Sequence, residues 1–328
     1  MKKKVDAIIC NTNMAVPTTL SYVLEHSEIL FVILSDTQNI ISFFEKVSLS
    51  NCIIVRYNNF SKYFSITPKK ELLKSMRPYK VINLFFFHFD FGCLANWYLK
   101  HMSRKTNIFF CKLYNRKPYE KEPFRTCIKS RMFEYLHYGV WMDYHDGGIP
   151  SAPVSFYDKI GSKEIVIPIK EDLIRQVVHK MEFIPYNKTL LILAGSILSR
   201  SVVDEVAYEK VISEIVRDYG EDKITVKCHP RYNDMCHKER LLSQIPSFVP
   251  GNLLVYNFDL FLGYDSLLLV EAARKGKKAI SLLKIIPSND KTAQIRSYNY
   301  LEERLEGKGR IYYPRDNGEL NSILFGAE

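Results

Sequence analysis

The chain has 328 residues, of which 47% are hydrophobic and 25% charged, with a net charge of +10. This is ordinary globular composition, which excludes disorder, and the length favours two domains of roughly 150 residues each. No run of about 18 uncharged apolar residues occurs, so the sequence predicts no membrane-spanning helix.

The closest approach, over 81–99, is broken by Asn83, His88, Asp90 and Asn96 and reads as strand, turn and helix. Met1-Lys2-Lys3-Lys4 precedes an apolar run too short for a signal peptide. Seven cysteines without paired spacing fit a reducing cytosol better than a disulfide framework. The excess positive charge points to anionic partners. It is dispersed rather than gathered into a stripe with interleaved aromatics, so no nucleic-acid partner is expected. Phosphorylated or acidic sugars and an anionic inner-membrane surface fit it equally well.

From the N-terminus, a strand over 5–10 ends on the polar turn Asn11-Thr12-Asn13, and a helix follows over 17–25. Strands are predicted over 29–35, 52–57, 80–87 and 106–113, with helical patterns between them. Such alternation is the signature of a doubly wound parallel sheet, whose strands are buried on both faces and lose period-2 polarity. Residues 114–131 are basic and rich in aromatics and read as an excursion. A strand over 139–144 then closes the first half, ending on Tyr144-His145-Asp146-Gly147-Gly148.

The expected domains are 1–160 and 188–328, with 161–187, containing Pro168 and Pro185, as the crossing between them. A second α/β series begins with a strand over 189–193. A helix over 203–219 follows, with Asp204 and Glu205 in its first turn, where the macrodipole favours acids. Strands are predicted over 223–228, 253–257, 260–263, 278–282 and 310–313, and a helix over 266–275. The expected fold is α/β, two Rossmann-like domains facing a central cleft.

Three corners carry chemistry. In the strand ending Val226-Lys227-Cys228-His229-Pro230-Arg231, Thr225, Lys227 and His229 share one face. His229 falls at the carboxyl end, where ligands of open α/β sheets sit, and Pro230 holds it away from helical geometry. An imidazole there can hydrogen-bond or protonate a departing phosphate, though a strand-end histidine before a turn proline also serves as a simple cap. Gly263-Tyr264-Asp265-Ser266 opens an apolar helix, whose free N–H groups and dipole make an anion site to which the Ser266 hydroxyl adds a donor. A plain N-cap reads the same way, and Asp265 is expected to be the residue that caps. Asp146, followed by two glycines, is an accessible carboxylate suited to a general base, although Asp-Gly-Gly is also a common turn. Cys228, His229, Cys236 and His237 match no standard metal spacing, so no metal site is expected.

In these residues the chain resembles bacterial CMP-sialic acid-dependent sialyltransferases of the two-domain GT-B type, a group including lipooligosaccharide sialyltransferases and polysialyltransferases. Their short motifs are matched in order by His145-Asp146-Gly147, His229-Pro230 and Ser266, and Ile9-Cys10-Asn11-Thr12 resembles their first strand and acceptor-side loop. The chain departs from the pattern at His145, where an acid is usual, and at Asp265, where a small hydroxylated residue is usual. The resemblance implies inverting transfer of sialic acid from CMP-sialic acid to a galactoside of a bacterial surface glycan. It makes Asp146 the base, with Asp204 ranked behind it, and His229 the leaving-group partner. Lys227, Pro230, Arg231, Tyr264 and Ser266 would line the donor site, with Asn11, Thr12 and His145 on the acceptor side.

No essential metal or other cofactor is implied. The expected partners are the nucleotide-sugar donor and a glycan or lipid-linked glycan acceptor, and the expected location is cytoplasmic with peripheral contact to the inner membrane face. A transferase using Kdo or a nucleotide-diphosphate sugar, and a non-catalytic anion-binding protein, are the competing readings.

Overall fold

The computed structural model describes residues 2–58, 67–87, 93–113, 128–129, 131–132, 135, 143–145, 149–151, 154–185, 189–194, 202–229 and 235–326. The chain divides into two compact units, Met1–Leu173 and Ile174–Glu328. This division falls inside the segment read as a crossing.

In the first unit, β1 (Lys3–Ile9), β2 (Phe31–Ser35), β3 (Cys52–Arg56), β4 (Tyr79–Phe87), β5 (Asn107–Cys111) and β8 (Lys163–Ile165) form one sheet in the order β3-β2-β1-β4-β5-β8. Every neighbouring pair is parallel. Helices Val16–Glu25, Gln38–Val47, Thr67–Met76 and Cys93–Met102 supply the crossovers. Right-handed crossovers started on both sides of β1 give this doubly wound order, with a switch point between β1 and β4. The sequence explains the burial: Phe31–Ser35 is buried throughout, and Phe86 stacks on Tyr157 with ring centroids 5.2 Å apart. A polar ladder running from buried Asp6 to exposed Asn107 crosses three strands. Asn83 Nδ2 donates to both carboxylate oxygens of Asp6 at 3.0 and 3.1 Å, and Asn107 donates to Asn83 at 3.0 Å. Burial raises the Asp6 pKa, and the Asn83 amide works against that rise.

Two expectations for this unit are corrected. The last strand of the sheet is β8, from within the predicted crossing; its register against β5 pairs Phe110 with Glu164. The strand expected at 139–144 is instead β6 (Asp143–His145), which pairs antiparallel with β7 (Ile149–Ser151) as a separate two-stranded sheet. Only three residues separate these two strands in sequence, which suits a local hairpin rather than a crossover.

The second unit repeats the plan. β9 (Leu190–Ala194), β10 (Ile224–Cys228), β11 (Ser243–Ile245), β12 (Leu260–Gly263), β13 (Lys278–Ser281) and β14 (Ile311–Tyr312) form a parallel sheet in the order β11-β10-β9-β12-β13-β14. Its switch point lies between β9 and β12. The strand predicted over 253–257 is a 3-10 turn, Gly251–Tyr256, entered through Pro250 with φ −62°. A short apolar run fits a buried helical turn as well as a strand, and Pro-Gly starts the turn here. The edge strand is Ser243–Ile245, too short and polar to stand out.

A further antiparallel bridge joins Val203 to Ser288. Ser288 Oγ and the Asn289 N–H both donate to the Val202 carbonyl, at 3.0 and 2.8 Å. The segments leading out of β9 and β13 are thus stitched together, on either side of β12 in the sheet order.

Candidate functional site

Parallel crossovers put every strand's carboxyl end and every following helix N-terminus on the same edge of a sheet. In the second unit that edge carries the ends of β10, β9 and β12, and His229 and Ser266 flank β9 on it. The His229 N–H donates to the Ala194 carbonyl at 3.0 Å, carrying the ladder one residue past β10, and the residue is exposed. Its place at the sheet edge agrees with the sequence reading. Pro230 and Arg231 lie outside the described residues.

Lys227 is buried, 5% exposed, and its ammonium donates to the carbonyls of Cys228 at 2.9 Å and Ser247 at 3.4 Å. Both acceptors belong to the carboxyl edge, so the amine sits at the same end of the sheet as His229. Burial lowers the Lys227 pKa from 10.5 to about 8. The unfolded chain therefore binds more protons than the native one between pH 8 and 10.5. The burial penalty is complete below about pH 8 and is relieved as pH rises towards 10.5. Comparing Lys227→Met with the parent by thermal denaturation across this range is expected to show the difference moving in the parent's favour as pH rises. A pH-independent difference would remove the buried charge from the account.

Ser266, not Asp265, is the N-cap of helix Leu267–Arg274, and its Oγ accepts from the Leu268 N–H at 3.3 Å. Its backbone is extended (φ −73°, ψ 132°), the conformation a cap requires. Asp265 stands one residue earlier, half-buried, so the expectation that it caps is corrected. Capping uses an oxygen lone pair and leaves the Ser266 hydroxyl proton for a ligand. Tyr264 is 2% exposed, and its carbonyl accepts from Ser281 Oγ at 2.6 Å, which ties the ends of β12 and β13. Burial, the Asp265 charge and a contact with Ser288 together set its phenol pKa at about 12.

Gly263 is favoured by proximity: a Cβ there would lie 3.0 Å from Leu193 Cβ, across the switch point, and Leu193 would have to give way. Asp204, the second-ranked base, caps helix Glu205–Tyr219 by accepting from the Ala207 N–H at 2.8 Å. It is the N-cap rather than a first-turn residue.

In the first unit, Asn11 lies two residues past the end of β1 and Thr12 caps the short 3-10 turn Asn13–Ala15, accepting from the Met14 N–H at 3.4 Å. Asn11 Oδ1 accepts from the Asp36 N–H at 3.1 Å, and its Nδ2 donates to the Tyr57 hydroxyl. The ends of β1, β2 and β3 meet through this one amide. His145 is the last residue of β6, and Asp146 lies outside the described residues.

Two acids were missed by sequence reasoning. Glu271 lies on the helix opened by Ser266, and burial pushes its pKa up to about 7 against the pull of Arg274 and Lys275. Asp36 directly follows β2, and burial raises its pKa against the Thr37 hydroxyl. The signal for each was positional, an acid just after a strand or within the helix following one, and it becomes visible only with the strand order.

Among the described residues no helix is long and apolar enough to cross a membrane. No family model matches the chain, and no curated protein is significantly similar to it. Among solved structures, the glycosyltransferase SnogD from Streptomyces nogalater is similar at 10% identity, over 100% of this chain and 92% of that one, with a TM-score of 0.49. The GT-B domain of a sialyltransferase from Photobacterium damselae is similar at 10% identity, over 95% and 100% of the two chains, with a TM-score of 0.42. UDP-GlcNAc 2-epimerase from Neisseria meningitidis is similar at 12% identity, over 98% of each chain, with a TM-score of 0.43.

Proposed function

We propose that the protein is a glycosyltransferase acting on a nucleotide-sugar donor, and that its donor is CMP-sialic acid. The observation supporting this is the placement of His229 and Ser266 at strand ends on either side of β9, beside the switch point of one sheet. Such a crevice receives phosphate groups, and Ser266 opens a helix whose N–H groups favour an anion. Lys227 adds a cation below about pH 8.

The reaction is an inverting displacement. An acceptor hydroxyl gives its proton to Asp146 as its oxygen bonds to the anomeric carbon of the sialyl group. The bond from that carbon to the CMP phosphate breaks, and the electron pair leaves with CMP. His229 and the Ser266 helix terminus take up the charge that develops on the phosphate, so the reading calls for no cation. Asn11, Thr12 and His145 serve the acceptor, a galactoside of a bacterial surface glycan such as capsule, O-antigen or lipooligosaccharide. A lipid-linked acceptor would bring the protein to the anionic inner membrane face.

The donor is tested by thermal shift. CMP at about 100 times its Kd is expected to stabilise the second unit by roughly 2.7 kcal/mol, while UDP and GDP leave the midpoint unchanged. Stabilisation by UDP or GDP instead of CMP would assign the protein to the transferases of nucleotide-diphosphate sugars.

A further inference from the structure

We propose that a basic groove at the amino edge of the first sheet binds a phosphate group, carried by a soluble molecule or by an anionic lipid. The site is independent of the transfer reaction and of the residues assigned to it.

All six strands of this sheet run parallel, so their amino ends share one edge, opposite the edge that holds Asn11. A groove of about 440 Å³ lies there, between the start of β4 and the turn from helix Cys93–Met102 into β5. Lys80, Arg104 and Lys105 line it together with Ser103, Thr106 and Asn107, and no acidic residue does. All three cations are exposed. Lys4 is in register with Lys80 one strand away, which adds a fourth cation to this edge.

The turn that carries Arg104 and Lys105 is anchored at both ends. The Lys105 N–H donates to the Met102 carbonyl at 2.8 Å, and Thr106 Oγ1 donates to the Val81 carbonyl at 3.3 Å. Like charges gathered around one groove repel one another, and a neighbouring carboxylate is the usual relief. Elsewhere in this unit that relief is present: Lys112 reaches Glu164 at 3.1 Å, and Lys170 reaches Glu25 at 3.3 Å. Among the described residues no carboxylate pairs with Lys80, Arg104 or Lys105. Burial and the Lys105 charge together lower the His101 pKa, so the field of the groove reaches the end of the preceding helix.

A phosphate neutralises such a cluster, and a guanidinium meets its oxygens in pairs. The Ser103 and Thr106 hydroxyl protons already go to the Lys100 and Val81 carbonyls, which leaves the three cations as the donors. No aromatic side chain lines the groove, so nothing there would stack a nucleobase.

The test presents the full chain with pyrophosphate, with vesicles of phosphatidylglycerol in phosphatidylcholine, and with vesicles of phosphatidylcholine alone. At least one of the two anionic probes is expected to bind, more weakly as salt rises. Combining Lys80→Gln, Arg104→Gln and Lys105→Gln is expected to weaken that probe by about 10- to 100-fold. Combining Lys210→Gln, Lys291→Gln and Lys308→Gln makes the same charge change on exposed positions of the second unit, and is expected to leave binding near parental. Pyrophosphate binding without lipid assigns a soluble ligand, and binding confined to the anionic vesicles assigns a lipid headgroup. Failure of both probes to bind, equal losses in the two combined variants, or equal binding to phosphatidylcholine alone would each overturn the site. Tighter binding of a duplex oligonucleotide than of either probe would overturn the assignment to a single phosphate group. Should the groove variant not fold, chemical acetylation of the unmodified protein decides the matter. The bound probe is expected to protect Lys80 and Lys105 while Lys210 stays reactive, and labelling that ignores the probe would overturn the site. The groove variant is expected to keep the parental CMP response, so failure of the groove and failure of the donor assignment are read separately.

Discussion

Replacing Asp146 by Asn is expected to lower kcat with CMP-sialic acid and a galactoside by about 10²–10⁴-fold, the usual worth of one general base. Asparagine keeps the size and polarity of the side chain but cannot accept a proton at neutral pH. The loss should therefore fall on the chemical step and leave the donor KM near its parental value. His229→Ala is expected to cost kcat on the same scale, because imidazole meets charge that develops only as CMP departs. Ser266→Ala should act mainly through donor KM, since a helix terminus and its hydroxyl hold the phosphate before and during the reaction alike. Single-turnover measurement of CMP release separates these cases. Parental turnover in Asp146→Asn would remove that residue from the mechanism.

Gly263→Val is expected to destabilise the second unit by about 1–3 kcal/mol. At this position β12 lies against β9, with Gly263 in register with Leu193. A Cβ would stand 3.0 Å from Leu193 Cβ and 3.4 Å from its carbonyl oxygen, and the two further carbons of valine extend from that crowded point. Leu193 is 4% exposed and β9 is bounded by β10 on its other side, so it has little room to withdraw. The midpoint of thermal denaturation should fall by roughly 2–12 °C, with donor binding weakened as the end of β12 shifts. A parental midpoint in Gly263→Val would show that the two strands separate at little cost.

The sequence was most legible where burial is strongest. Phe31–Ser35, Leu190–Ala194 and Leu260–Gly263 are apolar runs covered on both faces, and alternation with helices was enough to identify a parallel sheet. Short edge strands were not legible, because Lys163–Ile165 and Ser243–Ile245 owe their state to a neighbouring strand rather than to their own pattern. The run 253–257 misled for the opposite reason: its burial is real, but the backbone is set by Pro250-Gly251. At the site, His229 and Ser266 stood out because a strand end and a helix start can be read from neighbours in sequence. Asp36 did not, since its significance depends on β2 lying next to β1 in space. Asp265 reads as the cap because a carboxylate suits a phosphate poorly, and Ser and Asp are near-equal caps; the extended backbone of Ser266 and its bond from the Leu268 N–H identify the serine instead.

The bridge between Val203 and Ser288 bears on when the rim of the proposed donor site becomes ordered. Loops that fasten only around a ligand surrender their freedom at the moment of binding, and the affinity is reduced accordingly. Here Val202 and the segment Ser288-Asn289 are already fastened to each other through the Val202 carbonyl, so that part of the ordering is made during folding. A donor would meet a frame set in advance, and its contacts could count almost wholly towards affinity and towards telling one nucleotide from another.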